Sequence, residues 1–153
     1  MNNRTGNTGA ENNVTVELLS EMHRNVTMGS ETLTMVVPKI SGGAMMTSVT
    51  DQMEHYGKFT TKTEELLGRM NVKPRGSSLM KRTMTKMGIA MNTAVDSSDQ
   101  HIAAMIGKGT MTGLTELTGK LHKLTDADKE AVNLCRDILD YEKQEAMNIL
   151  DFV

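Results

Sequence analysis

The chain has 153 residues, of which 38% are hydrophobic and only 3% aromatic, and its formal net charge is -2 at pH 7. This length suffices for one domain with its own core, and the scarcity of aromatic side chains excludes a stacking platform for single-stranded nucleic acid. The chain lacks the excess of basic residues that is typical of a general nucleic-acid binder. Its single cysteine excludes an intramolecular disulfide framework, a cysteine zinc cluster and a CxxC redox motif.

The first 13 residues are polar, rich in Gly and Asn, and contain no apolar segment. We expect residues 1–13 to form a disordered tail and not a secretory signal, and we assign residues 14–153 to one helical domain. No apolar stretch approaches the roughly 20 residues that cross a bilayer. The sequence therefore predicts no transmembrane segment and a cytoplasmic location.

Helical spacing of apolar residues predicts two long helices in the first half of the chain. The first spans about 14–37, with Asn13 or Thr15 as its cap, and ends at Pro38. The second spans about 44–70 and has the narrow apolar seam of a bundle helix. The seam consists of Val49, Met53, Tyr56, Thr60, Thr63, Leu67 and Met70.

The stretch 77–124 is too long for one bundle helix, because it would extend about 70 Å at 1.5 Å per residue. Residues 95–99 form a cluster that can cap a new helix. We place the break there, which leaves a shorter helix over 77–94 and a long helix over about 98–124. Four glycines mark a second possible break, and we assign them to close helix contacts instead. These are Gly107, Gly109, Gly113 and Gly119.

The last helix is predicted to start at a cap formed by Asp126 or Thr125 and to use the rest of the chain. Its apolar stripe runs through Ile138 and places Glu145 at the centre. Glu142 lies one helical turn before Glu145. A carboxylate buried in an apolar stripe requires a partner. We expect Glu145 either to lie at the solvated end of the bundle or to accept a hydrogen bond from Tyr56, a Thr hydroxyl or an Arg.

The sequence contains no run of β-branched residues with a period of two, so the predicted fold class is all-α. Four long helices, joined by two short links and one long connection that carries its own short helix, resemble the ferritin-like four-helix bundle with its long crossover. The segments MGIAMNT (87–93) and SDQHIAAM (98–105) are also similar to an uncharacterised bacterial branch of the ferritin-like superfamily. The resemblance implies a fold and no particular activity.

The ferritin-like resemblance implies a dimetal carboxylate centre, with an inward Glu on each of two helices and a Glu-x-x-His pair on each of the other two. Glu145 and Glu142 are candidates on the last helix, and Glu21 lies at the edge of the first helix's stripe. The pair Glu142-x-x-Glu145 lacks the imidazole of the family pattern. We therefore predict a degenerate ligand set that holds no metal, and the alternative is iron or manganese bound by Glu21, Glu142 and Glu145.

The helix predicted over 77–94 has a methionine face and a basic face. Thioethers are soft ligands for Cu(I), but Met is abundant throughout the chain, and we interpret this stripe as packing. The stripe is Met80, Met84, Met87 and Met91. The basic face favours a solvated surface, and its alternative role is weak contact with an anionic surface. The basic residues of this helix are Lys81, Arg82 and Lys86, and Lys73 and Arg75 precede it and extend the basic surface.

The sequence gives little support for nucleophilic catalysis or for a histidine-based metal site. Cys135 follows Leu134 near the apolar face of the last helix, where a thiol behaves as a small hydrophobe. The four histidines share no ligand spacing. We expect a non-catalytic structural or interaction module that forms a homodimer, without a cofactor or a specific nucleic-acid partner. The alternatives are a carboxylate-bridged iron or manganese oxidase and an anionic-surface binding protein.

Overall fold

The computed structural model describes residues 5–74, residue 88 and residues 96–153. Within these residues the protein is built from helices without strands, so the all-α prediction is confirmed. The four long helices are α1 (Thr5–Val36), α2 (Gly43–Arg69), α3 (Asp99–Lys123) and α4 (Lys129–Asn148). Short 3-10 helices follow α1 at Val37–Lys39 and α4 at Ile149–Phe152.

The helix predicted over 77–94 lies outside the described residues, apart from the helical Gly88. Its methionine stripe also lies outside them. Of the basic residues assigned to its surface, Lys73 alone falls in the part of the chain that the structure describes.

Helix α1 starts earlier than predicted and ends where predicted. Residues 5–13, expected to form a disordered tail, belong to α1, so Asn13 and Thr15 lie inside the helix and not at its cap. The Thr15 hydroxyl accepts a hydrogen bond from the backbone N–H of Asp128 at 2.8 Å and so joins α1 to the start of α4. Pro38 lies in the first turn of the following 3-10 helix, because its fixed φ and missing N–H cannot continue α1.

Helix α2 agrees with its predicted bounds to within one residue at each end. Asn71, two residues after the end of α2, has a left-handed φ of 58°. The N–H of Val72 then bonds to the carbonyl of Leu67, and that of Asn71 to the carbonyl of Gly68. This Schellman arrangement satisfies carbonyls that the end of the helix would leave without partners.

Helix α3 begins at the predicted break. The Ser98 hydroxyl accepts a hydrogen bond from the His101 N–H at 3.3 Å, which makes Ser98 the N-cap. A Cβ added to Gly107 would lie 3.2 Å from Ile149 Cγ2, and one added to Gly113 would overlap the side chain of Asn25. The expected close contacts therefore occur at two of the four glycines, whereas Gly109 and Gly119 face open space.

The cap of α4 differs from the prediction. Asp128, and not Asp126 or Thr125, is the N-cap, and its carboxylate accepts the Glu130 N–H at 2.8 Å. Thr125 and Asp126 lie in the preceding turn. The hydrogen bond between Thr15 and the backbone of Asp128 fixes the start of α4 at this later residue.

Contacts at the helix ends define the directions of the four helices. The Asp99 carboxylate, at the start of α3, accepts hydrogen bonds from the N–H groups of Ser41 and Gly42, just before α2, at 2.9 and 2.6 Å. Arg69, at the end of α2, pairs with Glu130 in the first turn of α4 at 3.2 Å. Helices α2 and α3 therefore run in one direction and α1 and α4 in the other, and the chain between α2 and α3 connects opposite ends of the bundle.

The core lies between all four helices. Helix α1 contacts each of the other three, and α3 packs closely on α4. Fully buried side chains of every helix meet there, among them Leu18, Met22, Val49, Leu67, Ile102 and Ile138. Among the described helices, none has the combination of length and apolar character that a membrane span requires.

Candidate ligand-binding cleft

The buried carboxylate of α4 is Glu142, one turn before the predicted position. Glu142 is 1% exposed, whereas Glu145 is only half-buried and accepts a hydrogen bond from the Asn148 side chain at 3.1 Å. The prediction that Glu145 occupies the centre of the stripe is therefore wrong. The buried face of α4 also includes Leu139, three residues before Glu142, and Ala146, four residues after it. Glu142 therefore lies at the centre of the buried face.

Glu142 is held by neutral hydrogen-bond donors from two other helices. Its Oε1 accepts a bond from Asn25 Nδ2 on α1 at 2.8 Å and a long bond from the Tyr56 hydroxyl on α2 at 3.4 Å. Gln52 Nε2 donates in turn to the Tyr56 oxygen at 3.4 Å. We call Asn25, Gln52, Tyr56 and Glu142 the Glu142 cluster. The sequence predicted Tyr56 as one candidate hydrogen-bond donor to Glu145, and in the structure Tyr56 makes this bond to Glu142.

The second oxygen of Glu142, Oε2, is buried and has no hydrogen-bond partner among the described residues. Buried polar atoms in folded proteins almost always have such a partner, because an unsatisfied one loses its bonds with water without replacement. Oε2 therefore marks the polar position at which this site is incomplete.

Burial dominates the electrostatics of the cluster. It raises the pKa of Glu142 from 4.5 to about 7, although the hydrogen bonds from Asn25 and Tyr56 act in the opposite direction. Burial also raises the pKa of Tyr56 well above its usual range, and the charge of Glu142 adds to this effect. Near neutral pH, Glu142 therefore exchanges between acid and carboxylate while Tyr56 stays protonated.

The Glu142 cluster lines a cleft of about 550 Å³. Helices α1 and α3 supply most of its lining, while α2 contributes Gln52 and Tyr56 and α4 contributes Glu142. The apolar lining includes Met28, Leu33, Met105, Ile106 and Leu117, and the charged lining is Glu21, Arg24, Lys108 and Glu116. We call this space the α1/α3 cleft.

Two glycines give the side chains of the cluster their space. The ring of Tyr56 packs against Gly29 of α1 so closely that an added Cβ would lie 2.7 Å from Cε2. The side chain of Asn25 packs in the same way against Gly113 of α3. Because both glycines lack a side chain, a phenol and an amide can reach Glu142 from neighbouring helices.

Glu21, the third candidate metal ligand of the sequence, lines the cleft but is engaged in ion pairs. Arg24 contacts its carboxylate at 2.6 Å and also approaches Glu116 at 3.4 Å, and Lys120 lies 3.7 Å from Glu21. In the described ranges, no group of three His, Cys, Asp or Glu side chains is placed to hold a metal ion.

Cys135 and His23 are buried and are not among the residues that line the cleft. Cys135 is 0% exposed, and burial together with the charge of Glu142 raises the pKa of its thiol to about 12. His23 is 6% exposed, and its Nε2 lies 3.0 Å from Glu64 Oε1. The interpretation of Cys135 as a packing residue is consistent with this burial.

The sequence pattern did not point to Asn25 or Gln52 as residues of a site. Gln52 carried a usable signal, since it lies three residues after Val49 and four before Tyr56, both on the apolar seam of α2. The structure buries it to 2% exposure. For Asn25 no comparable signal exists, because its role depends on the approach of α1 and α3 at Gly113.

Comparison of the chain with protein families, with curated proteins and with solved structures gives no match.

Proposed function

We propose that the protein is a non-catalytic binding module whose α1/α3 cleft takes a small, mainly apolar molecule with one polar group. The observation that carries this proposal is the cleft of about 550 Å³ with the Glu142 cluster among its lining residues. Ligand sites commonly have volumes of about 300–1,000 Å³, an apolar lining and a few polar groups that fix orientation.

The proposed class of protein is the ferritin-like helical bundle with a degenerate dimetal site. The helix directions support it, since α2 and α3 run the same way and are joined by a long connection, as in a bundle with one crossover. Glu142 then occupies an interior position of the kind that carries a metal ligand in that fold. A homodimeric state and a cytoplasmic location stay predictions from the sequence.

The iron or manganese alternative has less support than ligand binding. A carboxylate-bridged centre needs several acids that converge on the metals. Glu21 is already paired with Arg24, and Glu145 is bonded to Asn148 on its own helix. The basic surface alternative rests largely on residues outside the described ranges.

Binding to the cleft is tested by following methionine methyl resonances while 1-hexanol is added. Met28 and Met105 line the cleft, whereas Met111 and Met147 are exposed elsewhere. We expect saturable shifts at Met28 and Met105 and none at the other two. Elemental analysis of the same protein for iron and manganese tests the alternative directly.

A matched pair of α3 variants locates the binding. Gly109 lines the cleft and Gly119 does not, and a Cβ at either position meets open space. Gly109→Leu should fill part of the cleft and weaken hexanol binding at least about tenfold, while Gly119→Leu leaves it unchanged. Equal binding by both variants, or no saturable shift at Met28 and Met105 in the unmodified protein, would contradict the proposal.

A further inference from the structure

The electrostatics of the α1/α3 cleft point to the charge of its ligand. Glu142 is 1% exposed, and both groups that donate to it, the Asn25 amide and the Tyr56 hydroxyl, are neutral and bond to the same oxygen, Oε1. Oε2 has no partner in the described part of the chain. A desolvated carboxylate without a counter-charge is unfavourable, so the site is most stable when a cation pairs with it.

The charged groups near Glu142 do not supply a positive partner for its carboxylate. On α1, Arg24 is paired with Glu21 and with Glu116 of α3. On α2 and α4, the facing titratable groups are Tyr56 and Cys135, and burial raises the pKa of each. Apart from Glu142, the charged side chains that line the cleft are two acids and two bases, namely Glu21, Glu116, Arg24 and the exposed Lys108. With these in balance, an ionised Glu142 makes the lining of the cleft net negative.

The remaining lining defines the rest of the ligand. Met28, Met105 and Ile106 offer apolar contacts for a hydrocarbon body. The side chain of Thr110, which also lines the cleft, hydrogen-bonds to Tyr56, and its hydroxyl oxygen is a further acceptor in the lining. A primary ammonium group carries three donors and one positive charge, which matches acceptors of this kind. A bare metal ion fits less well, because no set of three ligating side chains exists in the described residues.

We propose that the ligand of the α1/α3 cleft is an organic cation, a primary ammonium on a short hydrocarbon chain, with its ammonium group paired with the Glu142 carboxylate. This inference rests on the proposed binding function and names the class of ligand for that site.

The test compares three probes of equal chain length but different charge: hexylammonium, 1-hexanol and hexanoate. Their dissociation constants are measured with the Met28 and Met105 methyl resonances at about pH 8, where Glu142 is mostly ionised. We expect hexylammonium to bind at least about tenfold more tightly than 1-hexanol, and hexanoate to bind most weakly.

Two variants separate the charge of Glu142 from the shape of the cleft. Glu142→Gln should weaken hexylammonium binding at least about tenfold, and by a larger factor than it changes hexanol binding, because only the ammonium group loses an opposite charge. Glu145→Gln removes a carboxylate on the same helix outside the Glu142 cluster and should leave all three affinities unchanged. Far-UV circular dichroism establishes that both variants are folded.

The pH dependence of the unmodified protein provides a test that needs no variant. Ammonium binding requires Glu142 to lose its proton, and the folded protein holds that proton up to a pKa of about 7. Hexylammonium affinity should therefore rise about 30-fold between about pH 5.5 and pH 8, most steeply below 7, while hexanol affinity shows no such rise.

Each outcome distinguishes this inference from the binding function on which it rests. Tighter binding of 1-hexanol or hexanoate than of hexylammonium, a flat pH profile, or an unchanged affinity in Glu142→Gln overturns the ammonium assignment and leaves the cleft as a binding site. The absence of saturable shifts with all three probes overturns both.

Discussion

Glu142 connects the packing of α4 with the chemistry of the α1/α3 cleft. It lies on the buried face of the helix, between Ile138 and Ala146, at a position where an aliphatic residue would pack without electrostatic cost. The hydrogen bond from Asn25 offsets part of that cost. The part of the desolvation cost that is not offset raises the pKa of Glu142 to about 7. The ionisation of this one residue therefore affects both folding stability and ligand binding near neutral pH.

The first prediction concerns the pH dependence of folding stability. The unfolded chain ionises Glu142 near its ordinary pKa of 4.5, whereas the folded protein keeps the proton up to about 7. Below 4.5 both states are protonated. As pH rises from there, the unfolded state releases its proton first, and the free energy of unfolding falls by about 3 kcal/mol, with the loss complete above about pH 7. Glu142→Gln removes this loss.

Urea denaturation from about pH 5 to about pH 8 measures this effect. The stability of Glu142→Gln relative to the unmodified protein should increase steadily across this interval, because only the unmodified protein carries the titrating acid. Glu145→Gln is the control, and the half-buried position of Glu145 predicts a smaller change. Parallel stability curves for Glu142→Gln and the unmodified protein would show that Glu142 ionises equally in both states.

At the scale of the helices, local signals in the sequence predicted most of the architecture. Pro38 and the cap at Ser98 were sufficient to place the end of α1 and the start of α3, because both act through the backbone of their own segment. The start of α4 was misplaced because its cap at Asp128 is fixed by Thr15 on another helix. A contact between distant residues of this kind cannot be read from the sequence around the start of α4.

The candidate site was predicted less well than the helices. The predicted stripe of α4 ran through Ile138 to Glu145. The buried face also includes Leu139 and Ala146, and it centres on Glu142. The error amounts to three residues, about one helical turn, and it selected Glu145 as the buried acid in place of Glu142. The cleft itself depends on close approach at Gly29 and Gly113, which is a property of helix pairs and not of any one periodic pattern.

The second prediction compares two glycines in helix interiors. Alanine in place of glycine favours a helix by up to about 1 kcal/mol. Gly57 of α2 is exposed and a Cβ there meets open space, so Gly57→Ala should stabilise the protein by about 0.5–1 kcal/mol. At Gly29 the added Cβ would lie 2.7 Å from the ring of Tyr56, and Gly29→Ala should cost about 1–2 kcal/mol net because the ring must move.

Thermal or urea unfolding gives the sign of each change. Displacement of Tyr56 should also alter its long hydrogen bond to Glu142, so the near-UV signal of tyrosine should change in Gly29→Ala and not in Gly57→Ala. Stabilisation by both substitutions would mean that α1 and α2 can separate at Gly29 without loss.

At the scale of the whole molecule, contacts between helix ends fix the arrangement of the four helices around their shared core. Asp99 joins the start of α3 to the start of α2, and Arg69 joins the end of α2 to the start of α4. Both pairs connect segments far apart in sequence, so the four helices should open together and not one at a time. Buried side chains of all four helices share one core, which agrees with a single cooperative unit.

The last prediction uses Cys135, the one cysteine of the chain, to report that cooperativity. Its thiol is 0% exposed and its pKa is raised to about 12, so a thiol reagent such as Ellman's reagent can react only when α4 leaves the core. If opening is global, the native protein at about pH 8 should react at least about a thousandfold more slowly than the chain in concentrated guanidinium chloride. Gly29→Ala should speed the reaction, and Gly57→Ala should slow it, each by the factor that its change in unfolding free energy implies. Rapid labelling of a protein whose far-UV circular dichroism is unchanged would instead place a local opening of α4 beside the cleft, and its rate would then be independent of both substitutions.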